Sequence, residues 1–297
     1  MNEYETSLAF AAMAPRRVDR LFETYGGEQA AVEAILKGRT SASVHVVSAV
    51  GAPTSQRRDE LAALDVELIA SGEEEFPERL TVFPGHPRWL FVRGRVSSSP
   101  AIGIVGTRTC TRYGTDLARA YGRVAAEAGW SVVSGLARGI DGAAHTGATE
   151  AGGHCQAVLG SGIDVVYPRS HMALHAAVLE TGGVVMSEFP PGTPPEGWRF
   201  PTRNRIIAGL SDVLLVVEAG LKGGALITAR IALDYGVPVY AVPGDIDREA
   251  SVGTNLLIRD GAFPILGPED LAEVLSLLQP LYARRIVVDS EASVQVA

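Results

Sequence analysis

From about residue 101 onward, short apolar runs alternate with longer segments whose apolar positions recur at helical spacing. The runs at 101–105, 131–134, 155–159, 183–187, 212–217 and 237–241 read as strands. The segments 114–128, 140–151, 170–181, 202–210 and 223–235 read as the helices between them. Asp212–Glu218 (DVLLVVE) is apolar on both faces, as a strand buried inside a parallel sheet must be. This alternation predicts an α/β fold with a Rossmann-like, doubly wound, mostly parallel sheet. Ligands of that architecture bind at the carboxyl ends of the strands.

The first 80 residues follow a different pattern. Leu8, Phe10, Ala11, Val18, Leu21, Phe22, Val32, Ile35 and Leu36 recur at helical spacing, Pro15 suits the first turn of a second helix, and Gly26-Gly27 interrupts before a third. Residues 1–80 therefore read as a small N-terminal helical domain, like a SAM or helix-hairpin-helix module. Its own balance is acidic, and a cap packed on the main domain is favoured over an independent DNA-binding unit. The main domain is expected over 81–275, with Ser97-Ser98-Ser99-Pro100 as a separator and Trp89–Val92 as a candidate edge strand. Residues 276–297 are expected to form a loosely ordered tail with no room for a further winged-helix domain.

Composition narrows the class. The 297 residues are 46% hydrophobic and 20% charged, which describes an ordinary soluble globule. No run nears the roughly 20 apolar residues that span a bilayer. The N-terminus carries acids where a secretory signal carries bases, so the expected location is the cytoplasm. Cys110 and Cys155 stand far apart with no CxxC, and both are expected to be buried thiols. The net charge of −8 argues against a nucleic-acid partner, but its distribution softens this. Lys plus Arg against Asp plus Glu is 11 to 14 over residues 1–100, 9 to 8 over 101–210, and 6 to 12 thereafter.

That middle third holds the most informative residues. SVVSGLARGIDGAAH (Ser131–His145) is a strand ending at Ser134-Gly135, followed by a turn through Ala137-Arg138 and a helix opening at Gly139. AIGIVG (Ala101–Gly106) runs likewise into Thr107-Arg108. A strand that feeds a helix through glycine aims backbone N–H groups and the helix dipole at one point, which attracts phosphate. Two adjacent strand ends, each with an arginine, make that reading stronger than one. Arg199–Arg205 (RFPTRNR) adds three arginines and no acid.

Other chemistries are missing. Neither Lys37 nor Lys222 lies in a GxxxxGK[ST] motif, the first turn lacks GxGxxG, and no GxSxG elbow occurs. His171 and His175 have metal-compatible spacing without a supporting carboxylate, so no metal and no cofactor are expected. Asp141, Asp164 and Glu188 are possible acids or bases, with capping or turn roles favoured for the first two. No nucleophile, base and oxyanion set assembles, and no catalytic residue is assigned.

Six ordered motifs carry a resemblance. GIVGTRTCTRYG (Gly103–Gly114), VVSGLARGIDGAAH (Val132–His145), LGSGIDVVYPRSH (Leu159–His171), FPTRNRIIAGLS (Phe200–Ser211), VVEAGLKGGALITA (Val216–Ala229) and PGDIDREASVGTNLLIRDGA (Pro243–Ala262) resemble the DprA/Smf family of DNA-processing proteins. The resemblance runs from about Phe76 to about Leu271. It implies a single-stranded DNA binder that loads the RecA recombinase during natural transformation, a homodimer, and no catalysis. Carried over, its DNA pocket uses Gly106, Thr107, Arg108, the turn Ser134, Gly135, Ala137, Arg138 and Gly139, and the position after Tyr167-Pro168. That position, often Lys in the family, is Arg169 here, a planar fork in place of a point charge. Arg203, Asn204 and Arg205 are placed on the same basic surface. Tyr113 and Phe200 are candidates for base stacking, with a core role for each as the alternative. The dimer contact is expected near Leu257, Ile258, Phe263 and Ile265. Two other functions remain open: a nucleotide-processing hydrolase of the lysine-decarboxylase-like kind, and a mononucleotide-sensing protein.

Overall fold

The computed structural model describes residues 1–294, the side chains of 283–294 excepted. Five short helices open the chain: α1 (Glu3–Ala9), α2 (Pro15–Tyr25), α3 (Glu28–Leu36), α4 (Val44–Gly51) and α5 (Thr54–Ala63). Local chemistry sets their ends. Asn2 forms a capping box with Glu5 at the start of α1, Pro15 is the first residue of α2, and Gly26 (φ +83°) closes α2 in the left-handed region. Leu8, Val18, Ile35, Val50 and Leu61 are buried in the same core as Trp89 and Phe91 of the sheet. Phe10 meets Phe91 edge-on at 5.4 Å. The helices are thus a cap packed on the sheet.

The sheet has nine strands among the described residues, in the order β1-β2-β6-β5-β4-β3-β7-β8-β9. They are β1 (Glu67–Ala70), β2 (Trp89–Gly94), β3 (Ala101–Val105), β4 (Ser131–Ser134), β5 (Cys155–Leu159), β6 (Val184–Ser187), β7 (Val213–Val216), β8 (Val239–Ala241) and β9 (Phe263–Pro264). β1 and β2 are antiparallel additions, and from β6 to β9 every pairing is parallel. The sheet begins at Glu67, inside the segment expected to be wholly helical. Between the strands lie α6 (Glu78–Thr81), α7 (Arg112–Glu127), α8 (Ile140–Glu150), α9 (Met172–Glu180), α10 (Arg199–Leu210), α11 (Gly224–Asp234) and α12 (Glu249–Arg259). A helix α13 (Pro268–Val294) follows β9 and replaces most of the expected loose tail, whose last residues, 295–297, lie outside the described residues.

Strand alternation builds two cores. Ile102, Ile104, Val132, Val213 and Leu215 face one, with α7, α8 and the N-terminal cap. Ala101, Val105, Val133, Leu214 and Val216 face the other, with α10 and α11. Cys155 sits in the first core, its thiol pushed up to about 12 by burial. Cys110 departs from expectation: it is half-exposed, in the loop before α7, beside the Thr115 hydroxyl at 3.1 Å.

The helices that flank the functional edge touch backbone to backbone. A Cβ at Gly122 of α7 would overlap the carbonyl oxygen of Ala144 in α8, and one at Gly147 of α8 would overlap that of Arg119 in α7. Alanine favours a helix over glycine by about 1 kcal/mol, whereas overpacking costs about 1–3 kcal/mol. The obstacle here is a carbonyl in a regular helix, which cannot swing aside, so the clash prevails. Gly147→Ala should lower the urea unfolding midpoint. A raised midpoint would show that the helices are free to separate.

Candidate nucleic-acid interface

β3 occupies the middle of the parallel sheet. β4, β5 and β6 extend from it to one side, then the chain returns through α10 to place β7 on the other. The strand order therefore reverses between β3 and β7, and a doubly wound sheet opens a crevice at such a point. A cleft of about 650 Å³ lies there. Gly106, Thr107, Arg108 and Thr109 after β3, Ala137 and Asp141 after β4, and Tyr167 line it. Phe200, Pro201, Arg203, Asn204 and Ile207 of α10 and residues Lys222 to Ala225, with Ile227 and Thr228, complete its walls, with Pro195 and Gly197.

The two glycine turns interlock. A Cβ at Gly106 would overlap Ile140, and one at Gly139 (φ +78°) would overlap the Thr107 carbonyl. The Thr107 N–H donates to the Glu218 carbonyl at 2.8 Å, and the Gly135 N–H donates to Asp141 Oδ2 at 3.1 Å. These two donors, expected to face a phosphate, are taken up inside the protein. The N–H groups of Arg108, Ala137 and Arg138 have no protein partner among the described residues. Ser134 is buried, with its hydroxyl donating to the Ile104 carbonyl at 2.6 Å.

The predicted cations divide into two groups. Arg108, Arg138 and Arg169 are exposed. The Arg108 guanidinium lies 4.4 Å from the centroid of the Phe200 ring, and Tyr167 meets that ring at 5.7 Å with a 40° tilt. Arg169 begins a 3₁₀ turn, Arg169–His171, and neither it nor Arg138 lines the cleft wall. Tyr113 is 56% exposed on α7, not a core aromatic, and is also outside the cleft.

Arg203, Asn204 and Arg205 depart from the basic surface expected of them. Arg203 is only 3% exposed. It donates to the Gly135 carbonyl at 2.9 Å, to the Val158 carbonyl, and to Asn204 Oδ1 at 3.3 Å. Burial pushes its guanidinium down to about 10, against the opposing pull of Asp141, so it stays charged at neutral pH. Burial likewise raises the Asp141 carboxyl, and Arg203 opposes that rise. Asn204 donates to the Gly224 carbonyl at 3.2 Å. Arg205 pairs with buried Glu188 at 2.7 Å. Arg203 and Asn204 thus serve buried carbonyls, and Arg205 serves a buried carboxylate.

Lys222 is the cleft residue that motif reading passed over. It precedes Gly223-Gly224 at the start of α11, the same strand–glycine–helix device seen after β3 and β4. That repetition was the available signal. Asp164 takes the turn role expected of it, accepting the Gly192 N–H at 2.8 Å. Asp141 lies within the first turn of α8 and reaches back to Gly135 without capping the helix.

The candidate dimer residues also divide. Ile265 is fully buried in the first core, which removes it from any surface contact. Leu257 packs partly on the second core, Ile258 is half-exposed, and Phe263 is 59% exposed on the edge strand β9.

Two predictions follow from the buried groups. Arg203→Met should cost about 3–5 kcal/mol of stability, the range for removing one partner of a buried charge pair, while Arg108→Ala stays within about 0.5 kcal/mol. Equal urea midpoints for both variants would contradict the scaffold role of Arg203. The second concerns pH. Burial holds the His145 imidazole at about 4, below its ordinary 6.5. The unfolded chain therefore takes up a proton first as pH falls, so stability present above pH 6.5 is lost progressively between about 6.5 and 4. The shift corresponds to a loss of about 3 kcal/mol. A His145→Leu variant should lack that component, and parallel pH–stability curves for the two proteins would refute it.

The sequence profile of the family described as DNA recombination-mediator protein A matches residues 67–276. Protein Smf of Escherichia coli is 43% identical over 210 residues, covering 70% of this chain and 56% of that protein. The chain thus spans little more than half the length of that relative. DNA processing protein DprA of Bacillus subtilis is 38% identical over 213 residues, 71% of each chain. Among solved structures, DprA of Streptococcus pneumoniae superposes with a TM-score of 0.72 at 29% identity, covering 91% of this chain and 97% of that one. The Helicobacter pylori protein, described for its single-stranded DNA binding mode, gives 0.62 at 26% identity over 71% of this chain and 95% of that one.

Proposed function

The chain belongs to the DNA recombination-mediator protein A family, and on that premise we propose that it binds single-stranded DNA in the cleft between β3 and β7. The observation that carries this reading is the pairing of cations with aromatics at one strand-order reversal. Arg108 and Lys222 line the cleft without an ion-pair partner among the described residues, and Arg108 lies over Phe200, which Tyr167 also meets. Such cations hold phosphates without reading sequence, and the aromatic faces accept any base. The description of the H. pylori relative as a single-stranded DNA binder supports the same reading.

The chain acts in this proposal without catalysis, as a homodimeric mediator that passes DNA to the RecA recombinase during natural transformation in the cytoplasm. Among the described residues no helix is long and apolar enough to cross a membrane. The surface that suits a two-fold contact is the one carrying Ile258, Phe263 and Leu266, the last two 59% and 76% exposed. Two linked clefts would hold one strand at two points and raise avidity.

Fluorescence anisotropy with labelled oligothymidylate tests the DNA assignment. Arg108→Ala and Lys222→Ala should each weaken binding by about 1–3 kcal/mol while the fold survives. The slope of log K against log salt should approach −0.7 for each phosphate neutralised. Parent-like affinity in both variants, a salt-independent affinity, or preference for a mononucleotide over a longer strand would refute the assignment.

A further inference from the structure

We infer that Arg108 is a latch over a base-stacking subsite on Phe200, released only by a backbone phosphate. The inference rests on the DNA-binding reading above and adds a condition to it: the ligand must bring a phosphate and a base together.

The geometry carries it. The Phe200 ring is half-buried in the cleft wall and would collide with any side chain at Gly160, so backbone supports it from below. Tyr167 leans on it at a 40° tilt, too oblique to be a parallel stacking partner. Arg108 covers a face of the ring, its guanidinium carbon 4.4 Å from the centroid. A base laid on that face would occupy the space the guanidinium now fills. Arg108 itself is exposed and makes no side-chain hydrogen bond or ion pair among the described residues. The neighbouring Arg203 repels it, whereas buried Asp141 attracts it without closing a bond. The ring contact is therefore its principal hold.

The strengths of the interactions set the order of events. A cation–π contact at an exposed ring is weaker than a charge-assisted hydrogen bond from arginine to phosphate. A phosphate arriving near the free N–H groups of Arg108 and Ala137 draws the guanidinium away, and the attached base takes its place on Phe200. A neutral aromatic ligand has no phosphate to offer and must displace the arginine unaided. The cleft would thus discriminate against free bases and nucleosides, although it reads no base identity.

The test compares oligothymidylate with a thymine peptide nucleic acid of equal length, whose backbone carries no charge. Binding is measured to the parent, Arg108→Ala, and the double variant Arg108→Ala/Phe200→Leu, with thermal melts confirming the fold of each. Arg108→Ala should bind DNA about tenfold more weakly, from loss of one charge-assisted contact. The same variant should bind the uncharged strand about three- to fivefold more tightly, because the ring is no longer covered. That gain should vanish in the double variant. An uncharged-strand affinity that is unchanged, weaker, or undetectable in both parent and Arg108→Ala overturns the latch, as does a gain that persists without Phe200. Failure of the parent to bind oligothymidylate at all would instead overturn the reading of the cleft, and the latch with it.

Discussion

Arg203 holds the functional edge in shape. Its guanidinium sits beneath the turn after β4 and donates to carbonyls at Gly135 and Val158, so that one α10 side chain ties the ends of two neighbouring strands. A carbonyl at the end of a parallel strand has no further ladder partner and, once buried, must find a donor. Nη1 serves both oxygens while Nε donates to Asn204 Oδ1, a spread of donors along one planar group that a lysine's single ammonium does not offer. Asp141 completes the arrangement by accepting the Gly135 N–H, so both polar groups of that glycine are fixed. The turn then holds its N–H groups at Ala137 and Arg138 outward without help from a ligand. Preorganisation of this kind lowers the ordering cost of binding.

A division of labour among the cations follows. Arg203, with carbonyl partners, shapes the wall, Arg205 is spent on a buried carboxylate away from the cleft lining, and Arg108, without such a partner, presents charge. An acidic protein can in this way keep a locally cationic crevice. The acid that lines it, Asp141, accepts the Gly135 N–H, and Glu218, whose carbonyl accepts the Thr107 N–H, takes the Thr111 N–H and hydroxyl on its carboxylate.

The central strands were legible because each is an apolar run closed by glycine or serine; 101–105, 131–134 and 155–159 match β3, β4 and β5 residue for residue. The edges were not. β1 is four residues with a leading glutamate, too short to show a period, and β9 ends in Pro264, which argues against a strand when read alone. At the cleft, counting arginines points to a helix that lines it but cannot assign its members. Arg203 finds Gly135 at a separation of 68 residues, and Arg205 finds Glu188 at 17, so their burial is a property of the fold and invisible to local charge. Lys222 shows the converse: its strand–glycine–helix stretch is local and readable, but only the fold brings it beside the turns after β3 and β4.

The two borders of the sheet deserve a different consideration. On one side β1 lies against α5 and opens with the exposed Glu67; on the other, β9 offers two residues, one of them a proline with no N–H. Neither border presents a run of free donors and acceptors that another chain could extend. Both borders thus offer little backbone for strand addition between copies. Two copies brought together would therefore meet through side chains on helices and loops sooner than through a shared sheet.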